Sequence, residues 1–149
     1  MKEKIISFLR AGNIEIPDNE NEIVNLFLGK LIVGKIDYWL ERSFDFIDNE
    51  NPKKPFEREW SEVAKQDKAY RTSFSQLDSE TKVQLKKLLR QSIEGVTFSI
   101  LSELNGDCWT VNLESEDMKG TANENGNLHT DLWNWIELFG QNKDESENE

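Results

Sequence analysis

The sequence predicts a mainly α-helical domain, with four or five helices around a long central helix and one small β-hairpin before the last helix. Apolar residues recur at the three-and-four spacing of a helical face through most of the chain. After residue 106, apolar and polar residues alternate instead, as they do in a strand. A chain of 149 residues is long enough for one domain that buries roughly 70% of its unfolded surface.

Residues 78–106 are the predicted central helix. A capping residue, Asp78 or Ser79, begins the helix, and Asn105 and Gly106 end it. Its apolar face widens in the second half and comprises Leu85, Leu88, Leu89, Ile93, Val96, Phe98, Ile100, Leu101 and Leu104. We therefore expect other elements to surround the second half of this helix on nearly all sides.

The first two predicted helices cover residues 3–11 and 22–48. Gly12 is a candidate left-handed stop for the first helix, and Asn19 with Glu22 has the spacing of a capping box for the second. The second helix contains Gly29 and Gly34, each of which weakens a helix by roughly 1 kcal/mol relative to Ala. Because apolar residues flank both glycines, we expect them to permit close helix packing in preference to a bend.

The remaining elements follow from local patterns. A turn-rich connector at 51–55 precedes a third apolar helical stripe, formed by Phe56, Trp60, Val63, Tyr70 and Phe74. Residues 109–114 and 118–122 are the two predicted strands of the hairpin. The last predicted helix covers 128–139 and ends at Gly140, with one apolar face comprising Leu128, Leu132, Trp135, Ile136 and Phe139. We predict one domain over 1–140 and an acidic disordered tail at 141–149.

The charge of the chain limits its partners. Twenty-nine acidic and 18 basic residues give a net charge of -11. Such a surface repels the phosphate backbone of nucleic acid and anionic membranes, so we predict neither as a partner. Two interpretations of the charge stay open, namely solubility alone or complementarity to a basic protein.

The sequence also predicts a cytoplasmic location. Its single cysteine, Cys108, cannot form an intrachain disulfide, and the apolar run after Lys4 is too short for a signal peptide. The longest apolar stretch, residues 26–33, contains Lys30 and is too short to cross a bilayer.

No residue pattern indicates catalysis, a metal or a cofactor. One histidine and one cysteine are too few for a zinc or iron site. Cys108, His129 and Asp131 are the residue types of a nucleophilic triad. A small buried thiol is the more ordinary role for Cys108 beside an apolar tryptophan. We therefore predict that the protein is not an enzyme.

Four basic residues on the first half of the central helix have a structural interpretation. They are Lys82, Lys86, Lys87 and Arg90. In an acidic protein, such a stripe is expected to pair with carboxylates or to face solvent, and not to bind nucleic acid.

The tryptophan-rich last helix contains the candidate partner-binding residues. Trp133 lies to one side of the buried face, with His129 four residues before it and Glu137 four residues after it. An aromatic side chain flanked by His129, Asp131 and Glu137 is typical of a protein-binding anchor with an acidic rim. The alternative is that Trp133 packs under the hairpin that begins near Trp109.

Residues 94–106, a short strand and residues 126–135 resemble the layout of small, acidic, uncharacterised bacterial proteins of the toxin-immunity kind. The resemblance covers the C-terminal third of the chain. It implies an immunity-like or antitoxin-like binding protein that neutralises a basic partner, such as a nuclease toxin. The alternative is a cytoplasmic adaptor or a homodimeric structural or regulatory protein.

Overall fold

The structure is a computed structural model that describes residues 1–50, 62–105, 109–124 and 127–141. Within these ranges the chain forms five helices and a two-stranded hairpin that precedes the last helix, which confirms the predicted fold class. The elements in chain order are α1 Lys2–Arg10, α2 Glu20–Asp48, α3 Glu62–Ser75, α4 Ser79–Leu104, β1 Asn112–Ser115, β2 Met118–Thr121 and α5 Leu128–Phe139.

Some predictions fall outside the described residues. These are the connector at 51–55, Phe56, Trp60 and the side chain of Val63 of the third apolar stripe, Gly106 at the end of the predicted central helix, Cys108, and residues 142–149 of the predicted tail. The chain forms two compact units: unit 1 comprises Met1–Asp37 and Gly95–Glu149, and unit 2 comprises Tyr38–Glu94. The single domain over 1–140 stays a prediction.

Two of the long helices begin at predicted capping residues, but Asn19 caps α2 through Asn21 and not through Glu22, the partner that the capping-box prediction named. The side-chain oxygen of Asn19 accepts a hydrogen bond from the backbone N–H of Asn21 at 2.8 Å. At the start of α4, Asp78 accepts from the backbone N–H of Thr81 at 2.8 Å and from its hydroxyl at 2.6 Å. These bonds satisfy backbone donors that have no partner within the helix.

The stop after α1 differs from the prediction by one residue. Asn13, with a φ of 56°, adopts the left-handed conformation that we predicted for Gly12. The chain keeps turning through Gly12, whose N–H donates to the carbonyl of Leu9 at 2.9 Å. Asparagine tolerates the left-handed region better than most residues, so it can end the turn there.

The core of unit 1 is built from α1, the first part of α2, the hairpin, the end of α4 and α5. Its buried apolar residues are Ile5, Leu9, Ile23, Val24, Val33, Ile36, Leu101, Met118, Ala122, Leu128, Leu132 and Trp135. Gly29 allows α5 to approach α2 closely, since a Cβ there would lie 2.4 Å from Cγ of Trp135. The prediction of close packing is therefore confirmed at Gly29. It is wrong at Gly34, where a Cβ would meet nothing within 4 Å.

The hairpin packs against the start of α2. Its strands are antiparallel, with Leu113 opposite Gly120. A Cβ at Gly120 would lie 2.8 Å from the carbonyl oxygen of Glu20, so only glycine permits this approach. The side chain of Asn21 also accepts a hydrogen bond from the N–H of Thr121 at 2.7 Å. The hairpin is thus fixed to α2 by close packing and by hydrogen bonds.

Unit 2 contains a buried arginine. Arg71 of α3 is 4% exposed and forms an ion pair with Asp45 of α2 at 2.9 Å. Its guanidinium also donates to the carbonyls of Asp45 and Asn49, both at 2.9 Å, and lies 4.0 Å from the ring centroid of Phe46. Arg71 therefore satisfies carbonyl groups at the C-terminal end of α2.

The central helix is α2, which corrects our prediction that residues 78–106 have this role. Buried residues of α2 occur in both units and comprise Ile23, Val24, Val33, Ile36, Leu40 and Ile47. By contrast, Leu101 is the buried residue of α4, and Val96 and Ile100 are 61% and 56% exposed. Residues of a helix lie roughly 100° apart, so Val96 and Ile100 project away from the side that carries Leu101.

Candidate functional site

The four predicted partner-binding residues lie on two sides of α5. His129, Trp133 and Glu137 follow each other at intervals of four residues and share one side. Asp131 is two residues from both His129 and Trp133, so it lies on the opposite side. The structure therefore separates the predicted site into a side that contacts Phe98 and a side that contacts Asn25.

The first side contains an aromatic cluster, formed by the exposed Trp133 and the half-buried Phe98 and His129. Trp133 is 50% exposed, and its ring stacks on Phe98 of α4 with a centroid distance of 6.3 Å and an interplanar angle of 29°. His129 meets the same Phe98 ring edge to face at 5.3 Å. Trp133 is therefore a surface residue that stacks on Phe98. The alternative, in which Trp133 is buried under the hairpin, is wrong.

The second side contains a hydrogen-bond network centred on Asn25 of α2. The Nδ2 of Asn25 donates to a carboxylate oxygen of Asp131 and to the carbonyl of Ala122, both at 2.9 Å. Its Oδ1 accepts from Nε1 of the buried Trp135 at 3.1 Å. Asn25 thus holds the Asp131 carboxylate in a fixed position. Sequence reasoning missed Asn25, because nothing in the helical pattern distinguishes it from a solvent-facing polar residue.

A cleft of about 270 Å³ lies next to this network. It is lined by Asn21, Glu22, Asn25, Leu26, Thr121, Ala122, Glu124 and Asp131. Glu124 accepts a hydrogen bond from the side chain of Asn21. Among the described residues, no lysine or arginine forms an ion pair with any of the three carboxylates that line the cleft.

The acidic excess is concentrated in the part of the chain that carries this site. Residues 91–141 contain nine acidic residues and one basic residue, Lys119. The acidic residues are Glu94, Glu103, Asp107, Glu114, Glu116, Asp117, Glu124, Asp131 and Glu137. The preceding segment, residues 79–90, has the opposite balance, with four basic residues and one acidic residue. Of its four basic residues, Lys86 pairs with Asp48 at 2.6 Å, as expected for a structural role.

The geometry argues against the triad that the residue types suggested. His129 and Asp131 project from different sides of α5, so the helix itself separates two of its three members. In the described ranges, no three His, Cys, Asp or Glu side chains are grouped so that they could hold a metal ion. None of the helices in those ranges has the length and apolar character needed to cross a membrane.

Comparison of the chain with known protein families, with curated proteins and with solved structures finds no match. The resemblance of the C-terminal third to toxin-immunity proteins is therefore a hypothesis that depends on the residues and their geometry.

Proposed function

We propose that this chain is a non-enzymatic binding protein of the immunity or antitoxin kind. Its acidic surface on unit 1 neutralises a basic protein, such as a nuclease toxin, by covering the active site of that protein. The observation that carries the proposal is the half-exposed Trp133, which lies beside Glu137 on a helix without lysine or arginine. Tryptophan is enriched among the residues that dominate the affinity of protein interfaces.

Charge complementarity supports a basic partner. Among the described residues, neither Glu137 nor the carboxylates of the cleft are neutralised by ion pairs within the chain. A basic surface would supply the missing cations. Opposite charge speeds association and makes it sensitive to salt, whereas a buried aromatic anchor supplies much of the affinity.

Capture of partners from a lysate of the native organism tests the proposal. The immobilised protein is loaded at low salt and washed at high salt, and mass spectrometry identifies the released proteins. We expect a basic protein to be released by salt and its activity to be inhibited when the two are mixed in equal amounts. The absence of such a protein, or binding without inhibition, would contradict the proposal.

A pair of variants sharpens this experiment. Glu137→Gln removes one charge beside Trp133, whereas Glu41→Gln removes one from an exposed position of α2 in unit 2. Both variants change the net charge equally. We expect Glu137→Gln to reduce retention of the partner and Glu41→Gln to leave it unchanged.

A specific observation favours the alternative of a homodimeric adaptor. Val96 and Ile100 are exposed on successive turns of α4 and form a small apolar strip. If this strip is a dimer interface, sedimentation equilibrium should give twice the monomer mass, and Ile100→Glu should restore the monomer. A monomer at all concentrations would exclude this alternative.

A further inference from the structure

We infer that Trp133 and Glu137 together bind an arginine side chain of the basic partner. The guanidinium group stacks on the open face of the Trp133 indole and pairs with the Glu137 carboxylate. This inference rests on the proposed function and names the chemistry of its central contact.

The indole of Trp133 already packs on another ring before any partner binds. One of its faces stacks on Phe98, and Phe98 is held in turn by the edge-to-face contact with His129. Trp133 nevertheless remains 50% exposed, so part of its surface is open to a partner. A ring that is already ordered loses little conformational freedom on binding, so more of the contact energy contributes to affinity.

No cation from the described part of the chain occupies this indole. The Lys30 ammonium lies over Phe8 at 4.5 Å, and Lys86 lies 5.4 Å from the Phe44 ring. Lys119, the sole basic residue of 91–141, pairs with Glu114 at 3.3 Å. Tryptophan is the strongest cation–π acceptor among the aromatic side chains. The Trp133 indole therefore combines the strongest acceptor chemistry with a carboxylate, Glu137, one helical turn away.

The position of Glu137 selects arginine over lysine. Glu137 is exposed and lies one helical turn after Trp133 on the same side of α5, where such side chains are about 5–6 Å apart at Cβ. A guanidinium is planar, so it can stack with its face on the indole while its edge donates to the carboxylate. A lysine ammonium is a point charge and lacks this flat face.

Three synthetic peptides test the inference on the full chain. They have one neutral sequence and differ only in carrying three arginines, three lysines or three citrullines, which are uncharged analogues of arginine. Binding is followed by NMR through the indole N–H resonances, and that of Trp133 is assigned by its loss in Trp133→Phe. We expect the arginine peptide to shift the Trp133 resonance and to bind about 2- to 10-fold more tightly than the lysine peptide. The citrulline peptide should not bind.

Matched variants separate the proposed contact from general attraction of opposite charges. Trp133→Leu should abolish the preference for arginine, whereas Trp109→Leu, at a 64% exposed tryptophan of the same unit, should keep it. Glu137→Gln should weaken binding of the arginine peptide, and Glu103→Gln, at an exposed residue of α4, should not. Trp133→Phe keeps an aromatic ring next to Phe98, so it should stay folded and retain part of the preference for arginine. It therefore controls for a loss of binding that is caused by unfolding.

Equal affinity for arginine and lysine peptides would overturn the inference, as would binding that leaves the Trp133 resonance unshifted. These outcomes are independent of the lysate experiment. If a basic protein is captured but the peptides show no preference, the arginine contact is wrong and the proposed function stands. If the arginine preference at Trp133 is found but no basic protein is captured, the contact is supported and the proposed function fails.

Discussion

At the scale of single residues, Asn25 and Trp135 determine how the candidate surface is held. The amide of Asn25 uses both of its donor positions and its oxygen, on Ala122, Asp131 and Trp135. A buried donor that loses its acceptor costs about 1–3 kcal/mol. Removal of the Asn25 side chain would leave the buried indole N–H of Trp135 without an acceptor and would also release Asp131.

Asn25→Ala is therefore expected to lower the free energy of unfolding by about 2–4 kcal/mol. Urea denaturation followed by circular dichroism measures the change. Asn134→Ala, at an exposed position of α5, is the control and should change stability by less than about 0.5 kcal/mol. Similar values for the two variants would show that the network contributes nothing.

Two tryptophans two residues apart should respond differently to truncation. Trp135 is 1% exposed, so Trp135→Ala should cost about 3–5 kcal/mol. Trp133 is half exposed and contacts Phe98, so Trp133→Ala should cost only about 1–2 kcal/mol. The same denaturation experiment measures both. A loss of several kcal/mol at Trp133 would make it a core residue and remove it from the proposed interface.

Helical spacing alone placed Trp135 on the buried face of α5 and Trp133 beside it, and both placements agree with the structure. It could not identify Phe98 or Asn25 as their partners. Those contacts depend on which sides of α4 and α2 face α5, and local spacing does not determine the rotation of a helix relative to its neighbours.

At the scale of elements, the two glycines of α2 form a matched pair. Gly34→Ala should raise stability by up to about 1 kcal/mol, because alanine favours the helix and its Cβ meets nothing. Gly29→Ala gains the same helix propensity, but the alanine Cβ would lie 2.4 Å from Cγ of Trp135. We expect it to lower stability by about 1–3 kcal/mol. Thermal denaturation of both variants tests this, and a shift in the same direction would contradict the close packing of α5 on α2.

The capping residue of α4 gives a prediction for pH. The Thr81 hydroxyl and then the Thr81 N–H lower the pKa of Asp78 below its ordinary value of 3.8. Because the folded state has the lower pKa, the contribution of Asp78 to stability is complete above its unfolded pKa. It is lost as the pH falls through the folded pKa. The stability difference between wild type and Asp78→Ala should thus be constant above about pH 5 and should shrink below about pH 4.

A second variant isolates the charge of this cap. Asp78→Asn keeps an oxygen that can accept from Thr81 but does not titrate. The stability difference between Asp78→Asn and Asp78→Ala should therefore not change with pH. Denaturation curves measured across the acidic range give both comparisons, and a pH-dependent difference between these two variants would assign the effect to another group.

The elements with local signals were predicted most accurately. Helix α5 covers Leu128–Phe139, as predicted, and β2 lies within its predicted segment. Strand β1 begins three residues later than predicted, at Asn112, and ends one residue later, at Ser115. The choice of central helix was wrong because α2 and α4 are both long and apolar. Only the tertiary structure shows that, within the described ranges, α2 supplies more buried residues than any other element and that Val96 and Ile100 of α4 face solvent.

At the scale of the whole molecule, the positions of the charged residues along the chain say more about a binding role than the net charge does. The net charge of -11 is compatible with solubility alone, and composition cannot decide between that and a binding role. The structure adds that residues 91–141, with nine acidic residues and one basic residue, include the helix that presents Trp133. An acidic field beside an exposed aromatic residue is expected to accelerate association with a basic protein.

The most direct test of the central claim is the rate constant for association of this chain with the captured basic partner. It is measured over a range of salt concentrations. Salt screens charges over a Debye length of about 10 Å at 0.1 M and about 3 Å at 1 M. We predict that the rate constant falls at least about tenfold over this range. Glu137→Lys should lower the rate constant at low salt. A rate constant independent of salt and of Glu137→Lys would contradict the claim that this acidic surface binds the partner.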